Sequence, residues 1–143
     1  MKVKQLSIFL ENRAGRLAGV TDCLGENNIN IRALSLADTS DFGILRLIVT
    51  DHEKAKTALQ QAGFIVDTTE VVAAAMDDQP GGLNSILQLL QEESINVEYM
   101  YAFVQQSGEN AALIFRFDRI DEAVAVLQKR GVRMLTSEEL CNF

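Results

Sequence analysis

The chain has 143 residues, of which 48% are hydrophobic, and its 13 basic and 20 acidic side chains give a formal net charge of −7. This composition excludes wholesale disorder, and the negative charge argues against a nucleic-acid partner because phosphate backbones would be repelled. No apolar run is long enough to cross a bilayer, and the N-terminus lacks a signal-peptide pattern, so we expect a cytoplasmic protein with no membrane partner.

The chain begins with a predicted strand, turn and helix. Apolar and polar residues alternate over Gln5–Glu11, which predicts a strand with one buried face. A glycine-containing turn follows, and a helix is expected to begin near Arg16. Leu17, Val20 and Leu24 have the spacing of one buried helical stripe.

Two further strands, a helix and a closing strand complete the first half. The strands are predicted at Ile29–Ala37 and Gly43–Thr50. Asp51 has the side chain and position of a helix N-cap, and Gly63 fits the position just past the end of that helix. Phe64–Thr69 is then expected to form a fourth strand.

The second half repeats this order. Val71–Met76 predicts a strand, and Pro80 is suited to the first turn of the helix that follows. The apolar stripe of that helix is formed by Leu83, Ile86, Leu87 and Leu90. Val97–Gln105 and Ala111–Phe117 are expected to be strands joined by a hairpin that contains Gly108.

A helix, a strand and a short turn are predicted at the C-terminal end. The helix covers Ile120–Arg130 and is followed by Gly131, as the first-half helix is followed by its own glycine. Val132–Leu135 closes the sheet, and Ser137–Leu140 forms a short terminal turn.

Internal duplication is the strongest organisational signal. A shift of 66 positions aligns Gly15 with Gly81, Leu24 with Leu90 and Asn30 with Asn96. After two single-residue insertions the match resumes, and Gly63 aligns with Gly131. The sequence therefore predicts an α+β protein of two tandem ferredoxin-like βαββαβ units, residues 1–70 and 71–143, with antiparallel sheets and the helices on one face.

Two matching segments resemble the ACT domain family. Asn12–Leu17 followed by Asn28–Ile31 is similar to the family's glycine loop and second strand, and Asp78–Leu83 followed by Ser94–Val97 is similar to a second copy. The resemblance covers the chain up to about residue 140 and is closest to short proteins built from two ACT domains alone. It implies a regulatory protein that performs no catalysis and binds a free amino acid where two ACT units meet.

Partners are expected from the resemblance and from the strand pattern. Gly43–Thr50 is apolar on both faces, so both faces of its sheet should be covered, which favours a homodimer or pairing of the two units. An enzyme that reads the bound state is a further expected partner. No cofactor is expected, and the two cysteines and the single histidine, His52, lack the spacing of a metal site.

The glycine loops explain how an amino acid would be held. The first N–H groups of a helix lack intrahelical acceptors and carry partial positive charge, so a carboxylate can bind there. Amide and carboxylate oxygens nearby would accept hydrogen bonds from the ligand's ammonium group. The candidate ligand-binding residues are Asn12, Arg13, Ala14, Gly15, Arg16, Leu17, Asn28, Asn30, Asp78, Gln79, Pro80, Gly81, Gly82, Leu83, Ser94 and Asn96.

The two candidate sites are not expected to be equivalent. Ala14 stands where the family often has proline, and Ser94 stands at the position that Asn28 has in the first copy. Two other functions stay open at this point. An acylphosphatase-like hydrolase would use Arg13 or Arg16 together with Asn30, and an interaction module would be indifferent to every small ligand.

Overall fold

The structure is a computed structural model that describes residues 2–38, 41–104 and 110–143. It divides into two compact units, Lys4–Thr69 and Glu70–Phe143, and the first residues of the chain group with the second of these. We call them the N-terminal unit and the C-terminal unit. The strands in each are antiparallel and the helices lie on one face, which confirms the predicted pair of ferredoxin-like βαββαβ repeats.

The elements of the first repeat follow the predicted order. They are β1 (Val3–Glu11), α1 (Arg16–Glu26), β2 (Ile31–Asp38), β3 (Phe42–Val49), α2 (His52–Gln61) and β4 (Ile65–Asp77). The Asp51 carboxylate accepts a hydrogen bond from the Lys54 N–H at 3.1 Å, so the predicted N-cap of α2 is confirmed. This bond satisfies one of the orphan donors of the first helical turn.

The second repeat begins within β4 and uses six further elements. They are α3 (Gly82–Glu92), β5 (Val97–Val104), β6 (Asn110–Phe117), α4 (Ile120–Lys129), β7 (Arg133–Leu135) and α5 (Ser137–Cys141). The predicted hairpin at Gly108, and the end of the predicted strand at Gln105, lie outside the described residues.

One strand, β4, stands where the sequence predicted two. Residues 64–69 and 71–76 were expected to be separate strands, but Ile65–Asp77 is continuous. No glycine, proline or asparagine interrupts the chain there, and β-branched residues favour an extended backbone. The last strand of one repeat therefore runs directly into the first strand of the next.

Strand order is the same in both repeats. It is β2-β3-β1-β4 in the N-terminal unit and β5-β6-β4-β7 in the C-terminal unit. In the first sheet Leu6 pairs with Leu47 and Ile8 with Leu45, and all four side chains are buried beneath the helices. The pairing fixes which end of each sheet carries the loop between its first strand and first helix.

Helix stripes form the two cores, with one exception to the prediction. Val20 and Leu24 of α1 are buried, as are Ile86 and Leu90 of α3. Leu17, predicted to be in the buried stripe of α1, is instead 39% exposed. It lies in the first turn of α1, whereas the buried residues of the stripe lie in the later turns.

Helices α1 to α4 end in the same hydrogen-bond pattern, in which the two residues after the C-cap bond back to the last turn. At α2 the N–H of Gly63 bonds to Gln60 O at 3.0 Å and that of Phe64 to Leu59 O at 3.0 Å. Gly63 and Gly131 have positive φ, which confirms the predicted role of both glycines. At α1 and α3 the same left-handed position is taken by Asn28 and Ser94, each with φ 56°.

The face of the C-terminal sheet that is opposite to its helices is covered by the end of the chain. Ala112 and Ile114 on this face are buried. The ring of Phe143, just after α5, meets the ring of Phe103 edge to face with centroids 5.8 Å apart. Phe103 of β5 is therefore packed by this unit's own C-terminal segment. None of the helices in the described part of the chain is long and apolar enough to cross a membrane.

Candidate functional site

The two strand-to-helix loops have nearly the same backbone. Gly15 and Gly81 are the N-caps of α1 and α3, with φ of 89° and 88°. This left-handed conformation is readily adopted only by glycine. Pro80 was predicted in the first turn of α3, but it lies one residue before the N-cap, Gly81, and so outside the helix.

Both helices begin without a side-chain cap. Within the described part of the chain, no side chain caps either helix, and the first helical N–H groups donate to loop carbonyls: Arg16 N to Arg13 O at 3.4 Å and Gly82 N to Gln79 O at 3.1 Å. The first intrahelical bonds run from Gly19 N to Gly15 O at 2.9 Å and from Ser85 N to Gly81 O at 3.0 Å. The N–H groups of the two residues between, Leu17 and Ala18 in α1 and Leu83 and Asn84 in α3, have no intrahelical acceptor, so a ligand carboxylate can accept from them.

The arginines of the first loop are held by the protein itself. Arg13 Nε lies 3.2 Å from Glu11 Oε2, in a pair that is largely exposed. The guanidinium carbon of Arg16 lies 5.0 Å from the centre of the Phe64 ring. Arg16 Nε is a buried nitrogen without a hydrogen-bond partner among the described residues. This arginine packs against the ring of Phe64.

The remaining residues of the first loop line only a small cavity. The N–H of Asn12 donates to Asp41 O at 2.9 Å, which ties the loop to the strand hairpin. A cavity of about 80 Å³ is lined by Asn12, Arg13, Arg16 and Leu17, whereas Ala14 is exposed and does not line it. Ligand pockets usually have volumes of roughly 300–1,000 Å³.

The second loop borders a larger cleft of about 460 Å³. Of the predicted residues, Gln79 and Gly82 line it, while Asp78, Pro80, Gly81 and Leu83 belong to the same loop and do not. Gly82 is required by a close approach, because a Cβ there would lie 2.6 Å from Asp77 O. The turn is closed by the Gln79 N–H, which donates to Asp77 O at 2.9 Å.

Four polar residues of this cleft were absent from the sequence prediction: Asp77, Ser85, Asn110 and Arg133. Asp77 is next to the predicted Asp78, so adjacency to the loop was a usable signal. Asn110 and Arg133 lie on β6 and β7, which flank β4 in the sheet. Asn110 and Arg133 are far from the second loop along the chain, and only the strand order of the sheet brings them close to it.

The asparagine-bearing positions lie at the other end of each first helix. α1 has 11 residues and, at a rise of about 1.5 Å per residue, a length of about 16 Å, so Asn28 lies at the far end of the helix from Arg16. Asn30 N donates to Thr50 Oγ1 at 3.2 Å, and Asn96 N donates to Asp118 Oδ1 at 3.1 Å. The structure thus does not bring Asn28 or Asn30 to their unit's own glycine loop.

In the second repeat too, a helix separates the glycine loop from the later candidate residues. A helix also separates the residues that the hydrolase alternative would need together. Ser94 and Asn96 line a different cleft, of about 480 Å³, at the C-terminal end of α3. Arg16 and Asn30, the pair that an acylphosphatase-like mechanism would need together, are at opposite ends of α1. No group of three or more metal-ligating side chains occurs among the described residues.

Comparisons with known proteins agree on the family. A family model described as an ACT domain pair matches residues 1–143. Protein BT0572 from Bacteroides thetaiotaomicron is 41% identical, with 100% of this chain and 98% of that chain covered and a TM-score of 0.95. The ligand-free regulatory subunit of aspartate kinase from Thermus thermophilus is 14% identical, with 88% and 91% covered and a TM-score of 0.64, which shows a shared fold. No curated protein matches the chain.

Proposed function

Because this chain belongs to the family of ACT domain pairs, we propose that it is a regulatory module that binds a free amino acid at its strand-to-helix loops. The observation that carries the proposal is the duplicated loop with its uncapped helix. Glycines with φ of 89° and 88° begin α1 and α3, and no side chain caps either first turn within the described residues.

A carboxylate would complete these helix ends. It would accept hydrogen bonds from the first-turn N–H groups and neutralise the partial positive charge of the helix dipole. The ammonium group of the same ligand would need an acceptor, because an unpaired polar group costs ~2–7 kcal/mol when buried. Side-chain carboxylates and amides border the second loop and could fill this role.

The role we propose is regulatory and not catalytic. ACT domains are non-catalytic regulatory domains, and the fold shared with the aspartate kinase subunit fits that description. A bound amino acid would favour one conformation of the chain over another, and a partner enzyme would read the shift. The size of that shift would be set by the difference in the ligand's affinity for the two conformations.

A thermal-shift screen against the twenty proteinogenic amino acids tests the proposal. A ligand present at 100 times its dissociation constant should add ~2.7 kcal/mol to the free energy of unfolding and raise the Tm. The matched control is the amide of each amino acid that raises the Tm. The amide keeps the side chain but lacks the carboxylate, so it should give no shift. Equal shifts with acid and amide, or none with any amino acid, would contradict the proposal.

A further inference from the structure

We propose that the chain has one amino-acid site, the cleft beside the second loop of the C-terminal unit, and that the first repeat has filled the equivalent space with its own side chains. This inference rests on the proposed function and specifies where the ligand lies and how many are bound. The evidence for it is a set of three equivalent positions at which the side chains of the two repeats differ.

The repeats differ at the positions that surround this space. The shift of 66 residues places Arg16 opposite Gly82 and Gly19 opposite Ser85. After the two insertions, Phe64 is equivalent to Val132. Large side chains in the first repeat thus correspond to a glycine and a valine in the second.

In the N-terminal unit the space is occupied. The Phe64 ring approaches α1 so closely that a Cβ at Gly19 would lie 3.3 Å from its Cζ atom. The Arg16 guanidinium covers the ring at 5.0 Å, and the buried Nε shows that this side chain is packed against protein. Arg16 and Phe64 thus place large side chains against α1 where the second repeat has Gly82 and Val132.

In the C-terminal unit the same space is open. Gly82 has no side chain, Val132 is smaller than phenylalanine, and both line the cleft of about 460 Å³. A Cβ on Gly82 would lie 2.6 Å from Asp77 O. Gly82 therefore cannot be replaced by a residue with a side chain unless the backbone shifts. The opening is therefore built into the backbone of the loop.

The lining of this cleft has the charges that a zwitterion needs. Arg133 from β7 and Asp77 from the end of β4 supply a cation and an anion. No ion pair joins Arg133 to a carboxylate among the described residues. The ligand carboxylate, held by the first-turn N–H groups of α3, would also accept a hydrogen bond from Arg133, and the ammonium would bind Asp77. Met76, Ile86 and Val132 provide apolar surface for the ligand's side chain.

The cleft at the other end of α3 is a poorer candidate. Its volume is similar, about 480 Å³, but it is lined only by apolar residues and by uncharged Gln91, Ser94 and Asn96. It also lies at the C-terminal end of the helix, where the partial negative charge of the carbonyl groups repels a carboxylate.

Calorimetric titration of the full chain with each of the twenty amino acids tests the inference. The wild type should bind one ligand per chain. Arg133→Gln should raise the dissociation constant at least tenfold, and Val132→Phe, which copies Phe64, should abolish binding. Arg130→Gln removes the same charge three residues earlier from an exposed pair with Glu92 and should leave the dissociation constant within twofold.

The outcomes separate this inference from the proposed function. Two ligands per chain, or binding that Arg133→Gln leaves unchanged, would overturn the single site while amino-acid binding stands. An absence of heat with all twenty amino acids would overturn both. Since Arg133 is exposed, its variant tests the site even if Val132→Phe fails to fold.

Discussion

Individual residues after α1 and α3 are held in a conformation that suits glycine better. Asn28 and Ser94 both have φ of 56°, at the position that glycine takes after α2 and α4. Asparagine tolerates this region because its short amide can bond locally, whereas serine has less compensation. The asparagine pattern that suggested a ligand contact therefore has a second explanation in the ending of a helix.

Ser94→Gly is expected to stabilise the protein. Removing the side chain relieves the left-handed strain, and the net gain should be about 1 kcal/mol after the entropy cost of glycine. Asn28→Gly is the matched control and should gain less. Urea denaturation of both variants measures the difference, and a loss of stability in Ser94→Gly would contradict the strain.

Cys23 is expected to titrate above its usual range. Burial raises the pKa of the Cys23 thiol, and the negative charge of Glu26 adds in the same direction. The folded state thus favours the protonated form. The resulting stability is complete below the pKa of the unfolded chain and is lost as the pH rises through the higher folded-state pKa.

Thiolate absorbance against pH tests this titration. In a Cys141→Ser background the midpoint for Cys23 should lie higher in the folded protein than in the same chain in urea. Alkylation at a fixed pH should be correspondingly slower in the folded protein, because the thiolate is the reactive form. A midpoint equal to or below that of the unfolded chain would refute the effect of burial.

The turn between β4 and α3 depends on a glycine at the first position of α3. A Cβ on Gly82 would lie 2.6 Å from Asp77 O, a backbone atom that cannot rotate away. Gly82→Ala should therefore destabilise the protein by about 1–3 kcal/mol, the usual range for overpacking.

Gly25→Ala is the control for that substitution. Gly25 lies in the last turn of α1, and a Cβ there would meet nothing within 4 Å. Alanine favours the helix, so this variant should gain about 0.5–1 kcal/mol. Thermal unfolding of the two variants gives shifts of opposite sign, and shifts of the same sign would show that the loop tolerates a side chain.

Most elements were predictable because their signals are local. Alternation in β1, the Asp51 cap of α2 and the glycine after it are contained within a few residues, and the structure confirms each. The exposure of Leu17 was not predictable, since helical spacing gives the face of a residue but not where the sheet ends. The continuity of β4 was missed because two repeats suggested two strands.

The candidate site was predictable only in part for the same reason. Both glycine loops were found because duplication marks them in the sequence. Arg133 and Asn110 reach the second loop through the neighbours of β4 in the sheet, a relation that periodicity does not contain. Asn28 and Asn30 follow the loop closely along the chain, but a whole helix separates them from it.

At the scale of the whole molecule, several large apolar side chains are exposed, and we propose that they form an interface with a second copy of the chain. The large hydrophobic residues exposed in the described structure all belong to the N-terminal unit: Phe9, Leu17, Leu34, Leu36, Phe42 and Ile65. Leu34 and Leu36 are 54% and 50% exposed on β2, the edge strand of that unit. An apolar edge strand is a template for pairing with a second copy.

We expect a homodimer formed through β2. Light scattering after gel filtration should give twice the chain mass for the wild type. The double substitution Leu34→Lys and Leu36→Lys should give the mass of one chain, because charge on an edge strand opposes pairing. Thr57→Lys, on an exposed position of α2, is the control and should remain dimeric. If the wild type had the mass of one chain, the predicted homodimer would be contradicted.

The most direct test of amino-acid binding observes the backbone amides of the uncapped helices. In ¹⁵N-resolved spectra of the full chain, a bound amino acid should shift the amide protons of Leu83 and Asn84 downfield, because these first-turn groups gain a carboxylate acceptor. The equivalent amides of Leu17 and Ala18 should move little. If saturating ligand left Leu83 and Asn84 unchanged while other amides moved, the carboxylate would be bound elsewhere and the central claim would be contradicted.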